Sequence, residues 1–297
     1  MLHTGPPEEI GMEISHETIH QFRNQHFLPN EMVLSATGLS HSDLVHIANQ
    51  YFGHLEPSTP SPTNESNYVG GEYRLTIPPR KQLEGQVLPL MDKDNLTRIG
   101  LAYEIPDGWH NKDLVPICVL QTLLGGGNAF SAGGPGKGMY SRLYREILNR
   151  YHWVESSEAF TIFHANSGLF GIQGSTCHPS SKSKELVQVF MEHFYKCCNV
   201  KPSDIEVTRA KNMLKCNVLS QLESRLVIME DLGRQILTYG KREGMVDMLN
   251  KIDAVTPEDI QRVSLDLMKY NDKGVSLAVV GENVDYVPSL REIKRWL

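Results

Sequence analysis

Apolar residues fall at every second position from Ile99 through Leu101 and Tyr103 to Ile105, and this alternation predicts a half-buried strand over Thr97–Ile105. Two further β-rich runs, Trp153–His164 and Gly168–Ser175, are broken at Asn166-Ser167-Gly168 in the manner of a hairpin. Val275–Val280 reads as a final buried strand, and Met32–Ala36 as a short one near the start. Helical patterns occupy the spaces between. Ser15 is placed to cap a helix to His26, and Ser40-His41-Ser42-Asp43 resembles a capping box opening a helix to about Phe52. Asp113–Leu124 and Met139–Arg150 read as helices on either side of a glycine-rich stretch. Lys182–Cys198 and Ser203–Leu222 are long helices, the second with Val207, Ala210, Leu214, Val218 and Leu222 at helical spacing. Thr256 and Pro257 have the residue types of an N-cap and a first helical position.

Strands joined by turns, then a run of helices, then a returning strand, predict an α+β fold. The polar run at residues 56–67, EPSTPSPTNESN, reads as a linker between residues 1–55 and 68–297.

Composition narrows the function classes. Charged residues make up 22% of 297, and the net charge of −6 does not suit a nucleic-acid binder. The five cysteines, Cys118, Cys177, Cys197, Cys198 and Cys216, have no zinc-finger spacing and fit buried thiols in a reducing compartment. No run approaches the eighteen apolar residues of a membrane-spanning helix.

The densest signal is Leu123–Tyr140, LLGGGNAFSAGGPGKGMY, with seven glycines and one charge, Lys137. Glycine is entropically costly to order, so a stretch this rich in it points to close approach by another chain rather than mere connection. It is not a phosphate-binding P-loop, because Ser131 stands where the upstream glycine is required and Gly138 follows Gly136-Lys137. It also lacks the G-x-G-x-x-G of a dinucleotide site, since Met139 stands at the last position. A second string, His16-Glu17-Thr18-Ile19-His20, has the H-E-x-x-H spacing that puts two imidazoles on one helix face, with Glu17 as a general base. Two ligands do not hold a catalytic zinc, and no third follows in a metzincin pattern.

The stretch GGGNAFSAGGPGKGMYSRLYREILNRYHWVES (Gly125–Ser156) resembles the alpha-subunit family of mitochondrial processing peptidases. NMLKCNVLSQLESRLVIMEDLGRQILTYGKR (Asn212–Arg242), TGLSHSDLVHIANQYFG (Thr37–Gly53) and YVGGEYRLTIP (Tyr68–Pro78) are similar to other parts of the same family. The resemblance implies a pitrilysin-like antiparallel sheet domain over 68–297, with helices on one face, preceded by the C-terminal remnant of a homologous domain over 1–55. It implies a non-catalytic subunit in the mitochondrial matrix that binds basic presequences for cleavage by a zinc-bearing beta subunit. No zinc is expected in this chain. The family's own metal motif, H-x-x-E-H, does not occur; His152-Trp153-Val154-Glu155 is followed by Ser156.

The binding residues so implied are Gly125, Gly126, Gly127, Asn128, Ala129, Phe130, Ser131, Ala132, Gly133, Gly134, Pro135, Gly136, Lys137 and Gly138. Glu223, Glu230 and Asp231 are secondary candidates for steering a basic peptide, and Glu155 and Glu158 follow the glycine-rich stretch. The first fifteen residues contain no arginine and three acidic residues, unlike an amphipathic transit peptide, and the expectation is an N-terminally shortened chain. Two other readings compete. One is a structural core subunit of the cytochrome bc1 complex; peripheral inner-membrane association is left open for the chain on the first reading. The other is a stand-alone zinc protease using His16, Glu17 and His20.

Overall fold

Strand alternation organises the larger part of the protein. In a computed structural model that describes residues 14–58, 68–77, 96–128, 139–176, 181–268, 274–281 and 284–296, the strands are β1 (Glu72–Thr76), β2 (Thr97–Pro106), β3 (Gly126–Asn128), β4 (Val154–Phe163), β5 (Ser167–Thr176) and β6 (Ser276–Gly281). The helices are α1 (His16–His26), α2 (His41–Phe52), α3 (Leu114–Leu124), α4 (Ser181–Asn199), α5 (Asp204–Gln221), α6 (Arg225–Tyr239), α7 (Met245–Ala254), α8 (Pro257–Met268) and α9 (Leu290–Ile293). The protein divides into two compact units. One is residues 1–66 with 220–243; the other is 67–219 with 244–297.

In the second unit the strands form one sheet in the order β1-β6-β2-β5-β4-β3. Every pairing is antiparallel except β1 with β6. Ile99, Leu101, Tyr103 and Ile105 are all buried, as their period of two requires. Their cross-strand partners carry the same face onward: Tyr103 lies opposite Phe170, and Leu101 lies opposite both Ile172 and Leu277. Helices α3, α4 and α8 pack on the sheet, and α8 packs on both α3 and α4. Phe194 of α4 meets Tyr103 edge-on at 5.2 Å between ring centroids, a favoured aromatic geometry. Each such fully buried apolar side chain contributes about 1.5–3 kcal/mol. Arg262 of α8 donates to both carboxylate oxygens of Asp113, at 2.8 and 2.9 Å, and so fixes α8 against the residue that precedes α3.

Two segments depart from the sequence pattern. Met139–Arg150 is not one helix: its regular part is a π-helical turn at Tyr144–Leu148, where Asn149 N–H reaches back to the Tyr144 carbonyl at 3.0 Å. The side chains of Ser141 and Arg142 are engaged outside the segment, as described below. Met32–Ala36 pairs with no strand among the described residues. It belongs to the first unit, where Ser35 Oγ would stand 3.0 Å from a Cβ added at Gly233 of α6, and the Thr37 hydroxyl donates to the Arg225 carbonyl at 3.3 Å. Among the described residues of that unit only Leu28 is buried. Residues 220–243 thus join the first unit rather than the segment in which the linker at 56–67 would place them.

Candidate functional site

The glycine-rich stretch is described at its two limbs, Gly125–Asn128 and Met139–Ser141. Ala129, Phe130, Ser131, Ala132, Gly133, Gly134, Pro135, Gly136, Lys137 and Gly138 lie outside the described residues.

The entering limb begins as the cap of α3. Gly125 donates its N–H to the Gln121 carbonyl at 2.8 Å and takes φ +56°, a conformation that favours glycine. Its carbonyl then accepts from Ala159 N–H at 2.8 Å, while Gln121 Nε2 donates to the Ala159 carbonyl at 2.9 Å. The chain is thereby laid along the edge of β4 as β3, with Gly126 opposite Glu158, Gly127 opposite Ser157 and Asn128 opposite Ser156. Gly126 has φ +107°, and a Cβ there would fall 2.0 Å from the Ser157 carbonyl oxygen. Two consecutive glycines are therefore required by the backbone path.

The leaving limb is tied to different partners. Ser141 is buried, and its hydroxyl accepts the Gly126 N–H at 3.1 Å. Arg142 donates to both carboxylate oxygens of Glu206 at the start of α5, at 3.1 and 3.2 Å. Burial pushes the Glu206 carboxyl upward, but the hydrogen bonds from Arg142 and from Ser203 outweigh it and hold the group at about 2. Arg209 of α5 stands over the exposed ring of Tyr140, 5.1 Å from its centroid. One limb is anchored on the sheet and the other on α5.

Carboxylates flank this stem. Glu158 is exposed beside Gly126 and accepts from Gln173 Nε2 at 2.7 Å, and Glu155 is half-buried on the same strand. The other acidic candidates belong to the first unit, on or next to α6. There Glu230 pairs with Arg234 at 2.6 Å, Asp231 accepts from Gln235 at 2.8 Å, and Glu223 is exposed. His16 and His20 stand on one side of α1 with ring centroids 4.4 Å apart, both exposed. Among the described residues no three His, Cys, Asp or Glu side chains are placed to hold a metal ion. Sequence reasoning marked the glycines but not Ser141, Gln121 or the Arg142–Glu206 pair. Their roles depend on the two limbs meeting, which no local pattern records.

The sequence profile described as the peptidase M16 inactive domain matches residues 13–214. A relative named mitochondrial-processing peptidase subunit alpha, from Solanum tuberosum, is 38% identical over 247 residues, covering 82% of this chain and 46% of its own length. Among solved structures, a protease from Helicobacter pylori superposes with a TM-score of 0.71 at 16% identity, covering 93% of this chain and 61% of that one. A chain of complex III2 from Candida albicans does so with a TM-score of 0.69 at 16% identity, covering 86% and 56%. The chain spans about half the length of the curated relatives it matches.

Proposed function

The chain belongs to the peptidase M16 family, and from that membership we propose that it acts as a non-catalytic recognition subunit of a mitochondrial presequence-processing metalloendopeptidase. The observation that carries this reading is the alpha-subunit likeness, 38% identity over 82% of the chain in the Solanum tuberosum relative. The zinc and the peptide-bond chemistry belong, on this reading, to a beta-subunit partner, and the assembly works in the mitochondrial matrix.

The stem geometry supports a role in holding peptide. Glu158 presents an exposed carboxylate beside Gly126, at the edge strand β3. A basic presequence would find a charge-assisted contact there. Lys137 is the single charged residue of the stretch, so attraction for a cationic peptide must come from the flanking carboxylates.

The reading is tested by fluorescence anisotropy of a labelled basic presequence peptide titrated with the purified chain, beside a peptide whose arginines are replaced by glutamine. Binding that is selective for the basic peptide and weakens with salt supports it. Equal binding of both peptides, or of neither, contradicts it.

A further inference from the structure

We propose that the open edge of β1 pairs with β1 of a second copy of this chain, antiparallel about a two-fold axis at Tyr73, so that the two sheets run into one. The inference comes from the sheet alone and stands apart from the recognition role. β1 is the terminal strand of the sheet, and its five residues pair with β6 in unbroken parallel register. Leu277 N–H donates to the Gly71 carbonyl and Ile77 N–H to the Gly281 carbonyl, both at 2.9 Å. That phase turns the backbone groups of Tyr73 and Leu75 towards β6. Those of Glu72, Arg74 and Thr76 point outward, where no strand meets them among the described residues. Natural edges are blunted by bulges, prolines or outward charges. β1 has neither bulge nor proline, and its two charges serve the C-terminal segment instead. Glu72 accepts from Arg74 Nε at 2.5 Å and from Leu290 N–H at 2.7 Å, while Arg74 also donates to the Val284 and Pro288 carbonyls.

The order Glu72-Tyr73-Arg74 identifies the occupant as a second copy. With the axis at Tyr73, Glu72 of each copy stands opposite Arg74 of the other, and these are the residues whose N–H and C=O groups face outward. Moving the axis to Glu72 or to Arg74 sets like charges against each other, and a parallel pairing in register does so at both positions. Tyr73 then meets its own copy at the narrow, non-hydrogen-bonded position, where Cα atoms come within about 4.5 Å. Its side chain is 40% exposed and that of Leu75 is 42% exposed, on the face away from the buried Leu277 and Val279. The pairing thus covers apolar surface as well as the hydrogen-bonding groups of the edge. An interface built on one five-residue strand is small, so the dimer is expected to dissociate in the micromolar range or above.

The experiment is disulfide trapping of the whole chain at micromolar concentration, in a Cys216→Ser background because Cys216 is exposed. Tyr73→Cys is expected to give a linked dimer, with the linkage mapped to position 73, since Cα atoms about 4.5 Å apart suit a disulfide. Leu75→Cys is expected to give at least about tenfold less, because in this register it faces Gly71 and its two copies lie beyond disulfide reach. Sedimentation velocity of the Leu34→Lys chain, which carries a charge in the unpaired segment Met32–Ala36, isolates the β1 edge. There Tyr73→Lys, which brings two ammonium groups together at the axis, is expected to raise the dimer dissociation constant at least about tenfold with the thermal midpoint unchanged. A chain that stays monomeric and gives no linkage overturns the pairing. Linkage as strong at position 75 as at position 73, or dimers indifferent to Tyr73→Lys, overturns it too.

Discussion

Arg142 and Glu206 face each other as a two-bond pair, 64 residues apart in sequence, and this pair fastens the leaving limb of the glycine-rich stretch to the first turn of α5. The Arg142 side chain is 12% exposed, so removing its partner leaves a guanidinium without its counter-charge in a largely dry setting. Glu206→Gln is expected to cost about 1–3 kcal/mol in urea unfolding. Because the folded carboxyl is held at about 2, below its ordinary 4.5, its stabilisation is complete above pH 4.5 and is lost as pH falls towards 2. The variant should lose that limb of the pH–stability curve; a curve superimposable on the wild type's would show the pair to be inconsequential.

His193 of α4 gives a separate window. It is 3% exposed, and its Nδ1 has no partner among the described residues. Burial pushes its pKa down to about 4, with Lys196 and Arg142 acting in the same direction and Glu146 and Glu192 opposing it. The folded protein keeps this imidazole neutral while the unfolded chain takes up a proton below its ordinary 6.5. Stability is therefore full above pH 6.5 and falls between 6.5 and 4, by at most about 1.4 kcal/mol per pH unit. His193→Phe should flatten that window and leave the Glu206 limb at lower pH in place. Urea titrations at pH 7, 5.5 and 4.5 check this.

Gly171 on β5 lies opposite Phe160 of β4, and a Cβ there would come within 2.7 Å of two ring carbons and 2.4 Å of the Leu101 carbonyl oxygen. The ring covers the gap left by the missing side chain. Gly171→Val is expected to destabilise by about 1–3 kcal/mol through overpacking, read as a shift in urea midpoint without a change in slope.

Much of the fold was legible because periodicity carries it. The alternation at Ile99, Leu101, Tyr103 and Ile105 and the helix beginning at Pro257 stand in the structure as their residue types require. The hairpin is also present, but its turn is residues 164–166, because Ser167 and Gly168 already pair within β5. The mixed α and β architecture and its kinship to M16 proteins followed from those patterns and from the specific glycine-rich motif. β3 was invisible, since Gly126-Gly127-Asn128 has no β propensity and becomes a strand only because β4 offers an edge. The π-helical turn at Tyr144–Leu148 was equally hidden, because Ser141 and Arg142 engage Gly126 and Glu206, and those contacts are long-range. Met32–Ala36 has the composition of a strand, but pairing needs a second strand that the described residues do not supply.

That unpaired segment carries its own consequence. Met32 and Leu34 are each 49% exposed, and Phe22, Phe27 and Tyr51 in the same unit are exposed as well. Apolar surface of this kind binds hydrophobic dyes and promotes association. The purified chain is expected to enhance ANS fluorescence and to form concentration-dependent oligomers in light scattering, and Leu34→Lys to reduce both. Dye binding at the level of an ordinary folded monomer would contradict this.

The central claim, a recognition subunit that works with a catalytic partner, is tested most directly by reconstitution. The chain is co-expressed with a zinc-bearing beta subunit, purified as a complex, and assayed for cleavage of a presequence-bearing precursor, with each subunit alone beside it. The account predicts chelator-sensitive cleavage at the presequence junction by the complex and none by this chain alone. Cleavage by the pure chain, or a beta subunit whose activity is the same with and without it, would contradict the account.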